Sequence, residues 1–181
     1  MNNQEIIKSL KTIIEVLEQE QEQEYLHDFH DFGKGPVPAR RHKNPNGSIG
    51  GWVADSACVD DTAHISENAK VFGYATVSEN ARVGGNAKVY GTARVYGNAC
   101  VSGTARVYGN ARVSENATVS ENATVYGNAK VYGAACVGGN ACVLGAAYVC
   151  GNAYVCGNAK VYKNAYVSGT ARVYGNATIN E

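Results

Sequence analysis

Valine or isoleucine recurs every six residues from Val53 to Ile179 without a single slip. The series opens Val53, Val59, Ile65, Val71, Val77 and closes Val161, Val167, Val173, Ile179, 22 positions in one phase. Alanine stands two residues before each of them from Ala57 to Ala177, and only before Val53 does Gly51 take its place. The unit reads Ala-x-Val-x-(Gly/Glu)-(Asn/Thr). A register held over 127 residues is no compositional accident.

Ala and Val two apart point to the same face of a strand, and the residues between and after them point the other way. Gly or Glu followed by Asn or Thr makes a corner, because Gly and Asn accept the left-handed backbone that a sharp corner needs. Each hexad is thus a short strand plus a corner, with Val filling the interior and Ala keeping the corner narrow. Three such sides close a triangular coil of about 18 residues, and coils stack as a solenoid. About seven coils at a spacing of about 4.8 Å give a prism about 34 Å long.

The composition agrees. Hydrophobic residues make up 45%, but the share is mostly Ala, Val and Tyr, with three Phe and one Met. That excludes a Leu-rich helical bundle and argues against disorder. No apolar run approaches the ~18 residues of a membrane span. The opening MNNQEIIKSLKTIIEVLEQEQEQE lacks the basic start and small-residue cleavage site of a signal peptide. Lys plus Arg and Asp plus Glu number 16 each, so overall charge cannot drive binding to nucleic acid or membrane.

Segments such as SENAKVFGYATVSENARVGGNAKVYG resemble the hexapeptide-repeat family, and the resemblance covers residues 51–181. It implies an all-β solenoid, a left-handed parallel β-helix; the left hand is an exception to the usual right-handed crossover. Many members of that family are trimeric acyltransferases using acyl-CoA. Some are carbonic anhydrases or nucleotidyltransferase tails, and others are non-catalytic. The repeat and the segment before it also resemble hexapeptide-repeat proteins carried by phages and prophages, which implies an accessory host-interaction or ligand-sequestering role. Such a repeat specifies fold far more closely than activity.

Three segments follow: an amphipathic helix over 1–24, a connector or cap over 25–50 and the repeat over 51–181. Ile6, Leu10, Ile13 and Leu17, with Ile7 and Ile14 beside them, form a narrow apolar stripe over 4–24. It predicts either a coiled-coil seam or a helix docked on the prism. Gly-Pro, Asn-Pro and Asn-Gly mark turns in the connector, which is expected to cover the open edge of the first coil with Trp52, Phe29, Phe32 and Tyr25. No similar cover follows Ile179, so the last coil is expected to be bare or covered by a partner.

Stacking at 18 residues turns outward positions into columns. On the first side the residues after each Val include Phe72, Tyr90, Tyr108, Tyr126, Leu144 and Tyr162, an aromatic ladder. Those before each Val include Lys70, Lys88, Arg106 and Lys160, a basic column beside it. The second side carries Arg94, Arg112 and Lys130, and the third is the flattest, with Ser102 and Ser120. Residues 70–172 carry ten Lys/Arg against Glu79, Glu115 and Glu121, whereas residues 1–24 carry Lys8 and Lys11 against six Glu. An acidic end thus meets a basic prism wall. The ladder reads as ordinary strand Tyr kept soluble by Lys and Arg, as a subunit interface rich in Tyr and Arg, or as a face for an anionic or planar ligand.

Candidate chemistry is sparse. His64 is the only histidine within the repeat, with Asp60, Asp61 and Glu67 nearby, and it is the general base if the chain is an acyltransferase. Family enzymes interrupt their repeat with a loop that builds the acceptor pocket, and this repeat runs uninterrupted. His27, His30 and His42 could ligate a metal. An ordinary capping role fits their turn-rich surroundings better, so no metal is expected. The six cysteines sit at outward positions, none 18 residues from another, which disfavours disulfides between adjacent coils. Free thiols point to a reducing compartment, the cytoplasm.

The expectation is therefore a non-catalytic homo-oligomer, trimer favoured, without a cofactor. It would present the wall of Phe72, Tyr90, Tyr108, Tyr126, Tyr162, Lys70, Lys88, Arg106 and Lys160 to a small anionic or planar ligand or a host protein. Membrane and nucleic acid are not expected partners. The alternative is an acyltransferase with acyl-CoA held between subunits.

Overall fold

The computed structural model describes residues 3–181, and the side chains of residues 4–18 and 28–181. A helix, α1 (Asn3–Leu26), leads into strands β1 (His27–Asp31), β2 (Pro36–Lys43) and β3 (Ile49–Ala54). Two-residue strands, Cys58–Val59 to Thr178–Ile179, then recur every six residues. They stack into three walls. One is a 10-stranded sheet that includes β1, β2 and β3, and the other two have seven strands each. Within the prism all pairing is parallel and in perfect 18-residue register, as in Val89 with Val107 and Val107 with Val125. The chain is a parallel β-solenoid of seven turns preceded by one helix.

The core is the predicted one. The Val or Ile side chains from Ile65 to Val161 are fully buried, as are the Ala from Ala63 to Ala147. Burying one such Val contributes roughly 1.5–3 kcal/mol, and the repeat does so at every rung. The ends depart from the ideal. Val59, Ala177 and Ile179 are only partly buried, and Ala171 is exposed.

Corners from residue 73 to residue 175 all use positive φ. Glycine meets this demand at most of them; Glu79, Glu115, Glu121 and Lys163 meet it despite their Cβ, with φ of 58–60°. After most corner residues the next amide donates to the corner carbonyl of the following coil, as Tyr74 N does to Gly91 O at 2.7 Å. The side chains at that position also stack. Asn122, Asn140, Asn158 and Asn176 form a ladder in which each amide donates to the next at 3.0–3.1 Å. Gly51 replaces Ala for a steric reason: a Cβ there would lie 2.1 Å from the Ala69 carbonyl oxygen.

The connector is more ordered than turn signals alone suggest. β1 and β2 form an antiparallel hairpin, and β2 pairs antiparallel with β3. Asp31 Oδ1 accepts from Gly33 N and Gly35 N at 2.6 and 3.0 Å and shapes the hairpin turn. Pro45, Asn46 and Gly47 form a second turn, closed by Gly47 N donating to Asn44 O.

The first coil is covered mainly by polar groups rather than by the expected apolar ones. The buried Asn44 accepts from Ile65 N at 2.8 Å and donates to Ile65 O at 3.2 Å, replacing the strand that is missing there. The buried His42 donates Nε2–H to Ala63 O at 3.0 Å. Of the four aromatics named for this cover, Phe29 is 65% exposed. Trp52 and Phe32 are half-buried on the first wall instead, and the Tyr25 side chain lies outside the described residues.

The stripe on α1 is unburied. Ile7, Leu10, Ile13, Ile14 and Leu17 are each more than half exposed, so docking of this stripe on the prism is not observed. No described helix is long and apolar enough to cross a membrane.

Candidate functional site

Parallel register forces identical side chains at 18-residue spacing to lie over one another, and the first wall shows the consequence. Phe72 and Tyr90 stack with ring centroids 4.8 Å apart and planes 2° from parallel. Tyr90 on Tyr108 and Tyr108 on Tyr126 continue at 4.8 and 5.0 Å. The centroid spacing equals the rise between strands, about 4.8 Å. Leu144 interrupts the column, so Tyr162 stacks on no member of it. Tyr162 instead accepts a hydrogen bond from Asn180 Nδ2 at 3.0 Å.

The ladder extends in a direction the repeat does not reveal. The hairpin turns back over the outer face of the first rungs. Phe32 stacks on Phe72 at 4.8 Å, His30 meets Phe32 edge-on, and His30 stacks on Trp52 at 4.7 Å. The Arg41 guanidinium lies 5.3 Å from the Trp52 ring centre. A continuous pile therefore runs from Arg41 through the hairpin to Tyr126. The signal lay in His30 and Phe32, two apart at the end of β1 and the start of its turn, inside a segment without repeats.

The basic column stands beside this pile. Lys70, Lys88 and Arg106 occupy directly paired positions on consecutive rungs. Lys160 is separated from Arg106 by Thr124 and Cys142, so it stands apart with Tyr162. Lys70 donates to His30 Nε2 at 2.8 Å, so His30 is neutral with Nε2 as acceptor. Burial, and then the Lys70 charge, hold the His30 pKa below the ordinary histidine value. Lys88 and Arg106 make no ion pair; among the described residues the one ion pair is Arg40 with Asp55, at 3.4 Å.

Lys88 and Arg106 open onto a groove of about 590 Å³ between the wall and the hairpin turn. Phe32, Lys34, Phe72 and Tyr90 also line it. Burial raises the pKa of both Tyr90 and Tyr108. Their phenols therefore stay protonated and remain hydrogen-bond donors. This refines the sequence expectation. The ring faces in the ladder are occupied by one another, so the wall offers ring edges, hydroxyl donors and cations rather than free faces.

The other candidates separate from this site. His64 sits on the third wall in a groove of about 370 Å³ with Arg82, Asn80 and Thr62. Asp60, Asp61 and Glu67 neither hydrogen-bond nor ion-pair with it, and Asp60 Oδ2 accepts from Glu79 N instead. His30 and His42 are engaged separately, with Lys70 and Ala63, and the His27 side chain lies outside the described residues. Among the described residues no group of three or more His, Cys, Asp or Glu could hold a metal ion.

All six thiols are free. Cys150 stands at an outward position of the register yet is covered: it is 5% exposed and donates to the Tyr166 hydroxyl at 3.3 Å. Cys150 and Tyr166, beside Tyr132, push its pKa up strongly.

A search of curated proteins returned no match. The family model described as YdcK Beta solenoid repeat matches residues 105–121. That stretch spans one coil and holds Arg106, Tyr108 and Arg112, so the likeness is to the β-solenoid repeat that builds the prism.

Proposed function

We propose that the chain is a non-catalytic, self-associating β-solenoid that holds an anionic ligand or a partner protein along its first wall. The supporting observation is the stacked pile from Phe32 to Tyr126 beside the unpaired Lys88 and Arg106, at one groove. Protonated phenols and fixed cations on a rigid sheet suit an anion, because charge-assisted hydrogen bonds are the stronger kind. The rigid repeat orders these groups before binding, so little entropy is lost on association. The exposed stripe of α1 supports self-association, with three copies favoured. Six free thiols support a reducing, cytoplasmic setting. An accessory host-interaction or sequestering role of the phage type fits a protein that acts by holding rather than by turnover.

Native mass spectrometry of the full chain, reading subunit number and any copurified mass, tests this. Tyr108→Ala with Arg106→Ala should lower the subunit number or remove the bound mass while the fold persists. Ser102→Ala with Ser120→Ala, on the third wall, should change neither. A monomer without adduct from the unmodified chain, or loss only in the serine pair, refutes the reading.

A second reading, acyl transfer from acyl-CoA, rests on His64 in its groove with Arg82. It requires thiol release from acetyl-CoA that His64→Ala abolishes.

A further inference from the structure

The second wall carries a cation arrangement of its own. Arg94 pairs directly with Arg112 on the next rung, with Thr76 on the rung before and Lys130 on the rung after. Like charges directly opposed on adjacent strands destabilise a sheet. The usual remedy is a carboxylate, and neither arginine has one: Arg40 with Asp55 is the one ion pair among the described residues. Among the described residues neither guanidinium has a hydrogen-bond partner either. Lys130 differs. Its ammonium lies 4.9 Å from the Tyr148 ring centre and donates to the Tyr148 hydroxyl at 3.2 Å. The unsatisfied charge is therefore confined to the two arginines.

These two arginines line a hollow of about 260 Å³ together with Thr76, Ser78, Glu79 and Tyr96. Three of the lining side chains carry hydroxyls. The single carboxylate, Glu79, does not pair with either guanidinium and offsets at most one of two charges. The hollow is left with surplus positive charge and surplus donors.

We infer that this hollow binds the phosphate group of a phosphomonoester. A guanidinium presents its donors as a planar fork that matches carboxylate or phosphate oxygens in pairs. Two forks on neighbouring rungs plus hydroxyls offer more donors than the two oxygens of a carboxylate can accept. A phosphomonoester has three terminal oxygens and carries a charge of about −1.5 to −2 at pH 7. It matches both forks and keeps acceptor capacity for Ser78, Thr76 or Tyr96. The hollow is smaller than the ~300 Å³ at which ordinary ligand pockets begin. It therefore encloses the phosphate and the first atoms of the ester, and the Tyr96 ring flanks the remainder. This site shares no residue with the first-wall groove and stands or falls independently of it.

Isothermal titration of the full chain at low ionic strength tests the site, with phenyl phosphate in one arm and inorganic phosphate in the other. One phenyl phosphate should bind per chain, more tightly than inorganic phosphate. Arg94→Gln and Arg112→Gln should each weaken it by about tenfold or more, the loss expected for removing a charged hydrogen bond. Arg112→Lys, which keeps the charge but not the fork, should bind more weakly than the unmodified chain, and Arg172→Gln on the third wall should leave binding unchanged. The ligand-free Arg112→Gln protein should melt no lower than the unmodified one, because a repulsion has been removed. Inorganic phosphate binding as tightly as the ester overturns the monoester assignment. No saturation by either probe at millimolar concentration, or undiminished binding in the Arg94→Gln, Arg112→Gln double variant, overturns the site.

Discussion

Asn44 is expected to be the most consequential polar side chain in the molecule, and Asn44→Ala is the sharpest test of how the solenoid begins. The first coil has no coil before it, so the Ile65 amide and carbonyl would both be buried without partners. Asn44 supplies both, at 2.8 and 3.2 Å, and also donates to Ser48 Oγ at 3.1 Å. Alanine would orphan two buried backbone groups, each costing about 1–3 kcal/mol. The loss should therefore be about 2–6 kcal/mol, not the small cost of a surface change. It should also be local, because solenoid stability is a sum of coil and neighbour terms, and an end coil has one neighbour. Hydrogen exchange followed by mass spectrometry reads this directly. Protection around Ile65 should collapse while protection around Val107 persists, and the denaturation midpoint should fall. Asn80→Ala, at an exposed corner, should change neither. If Asn44→Ala leaves both the midpoint and Ile65 protection intact, the capping argument is wrong.

The prism was legible because one physical rule repeats. Each Val fixes an inward face and each Gly or Asn fixes a corner, so an error at one coil would be exposed by the next. The ladder from Phe72 to Tyr126 was legible for the same reason, since 18-residue spacing becomes contact once coils close. The asparagine ladder from Asn122 to Asn176 was not read from the sequence, because asparagines taken as turn formers conceal their stacking. What escaped lies where the repeat stops. That His30 would reach Lys70 and Phe32 would reach Phe72, both 40 residues away, depends on how a hairpin curls over the wall. No local period encodes that. Cys150 was read as outward from its register, which is correct for its Cα. It is buried because Tyr166 leans over it, and side-chain direction is set by neighbours rather than by phase.

Two further outcomes follow from the same interactions. Val107 is fully buried at mid-prism, so Val107→Asp places an unpaired charge in the core at a cost of at least about 4 kcal/mol. Circular dichroism should show an unfolded chain or a broken transition, and an unchanged melting temperature would sink the inward assignment. The pH dependence has a defined sign. Burial, the largest cause in each case, lowers the pKa of His30 and of His42 in the folded chain. Facing His30 are Lys70 and Arg41, which lower it further, and Asp31, which raises it. Facing His42 are Arg40 and His64, which lower it, and Asp61 and the Ala63 carbonyl, which raise it. Below about pH 6.5 the unfolded chain takes up protons at these sites that the folded chain does not. Stability should therefore be fully present above about pH 6.5 and decline as pH falls toward the lower folded values. Asp31, held below the ordinary carboxylate value by the Gly33 amide, contributes only at more acidic pH. Melting temperatures from pH 8 to pH 5 should show this fall, and His30→Gln with His42→Gln should flatten it. An equal slope in that double variant would assign the acid sensitivity to other groups and refute the role given to the two histidines.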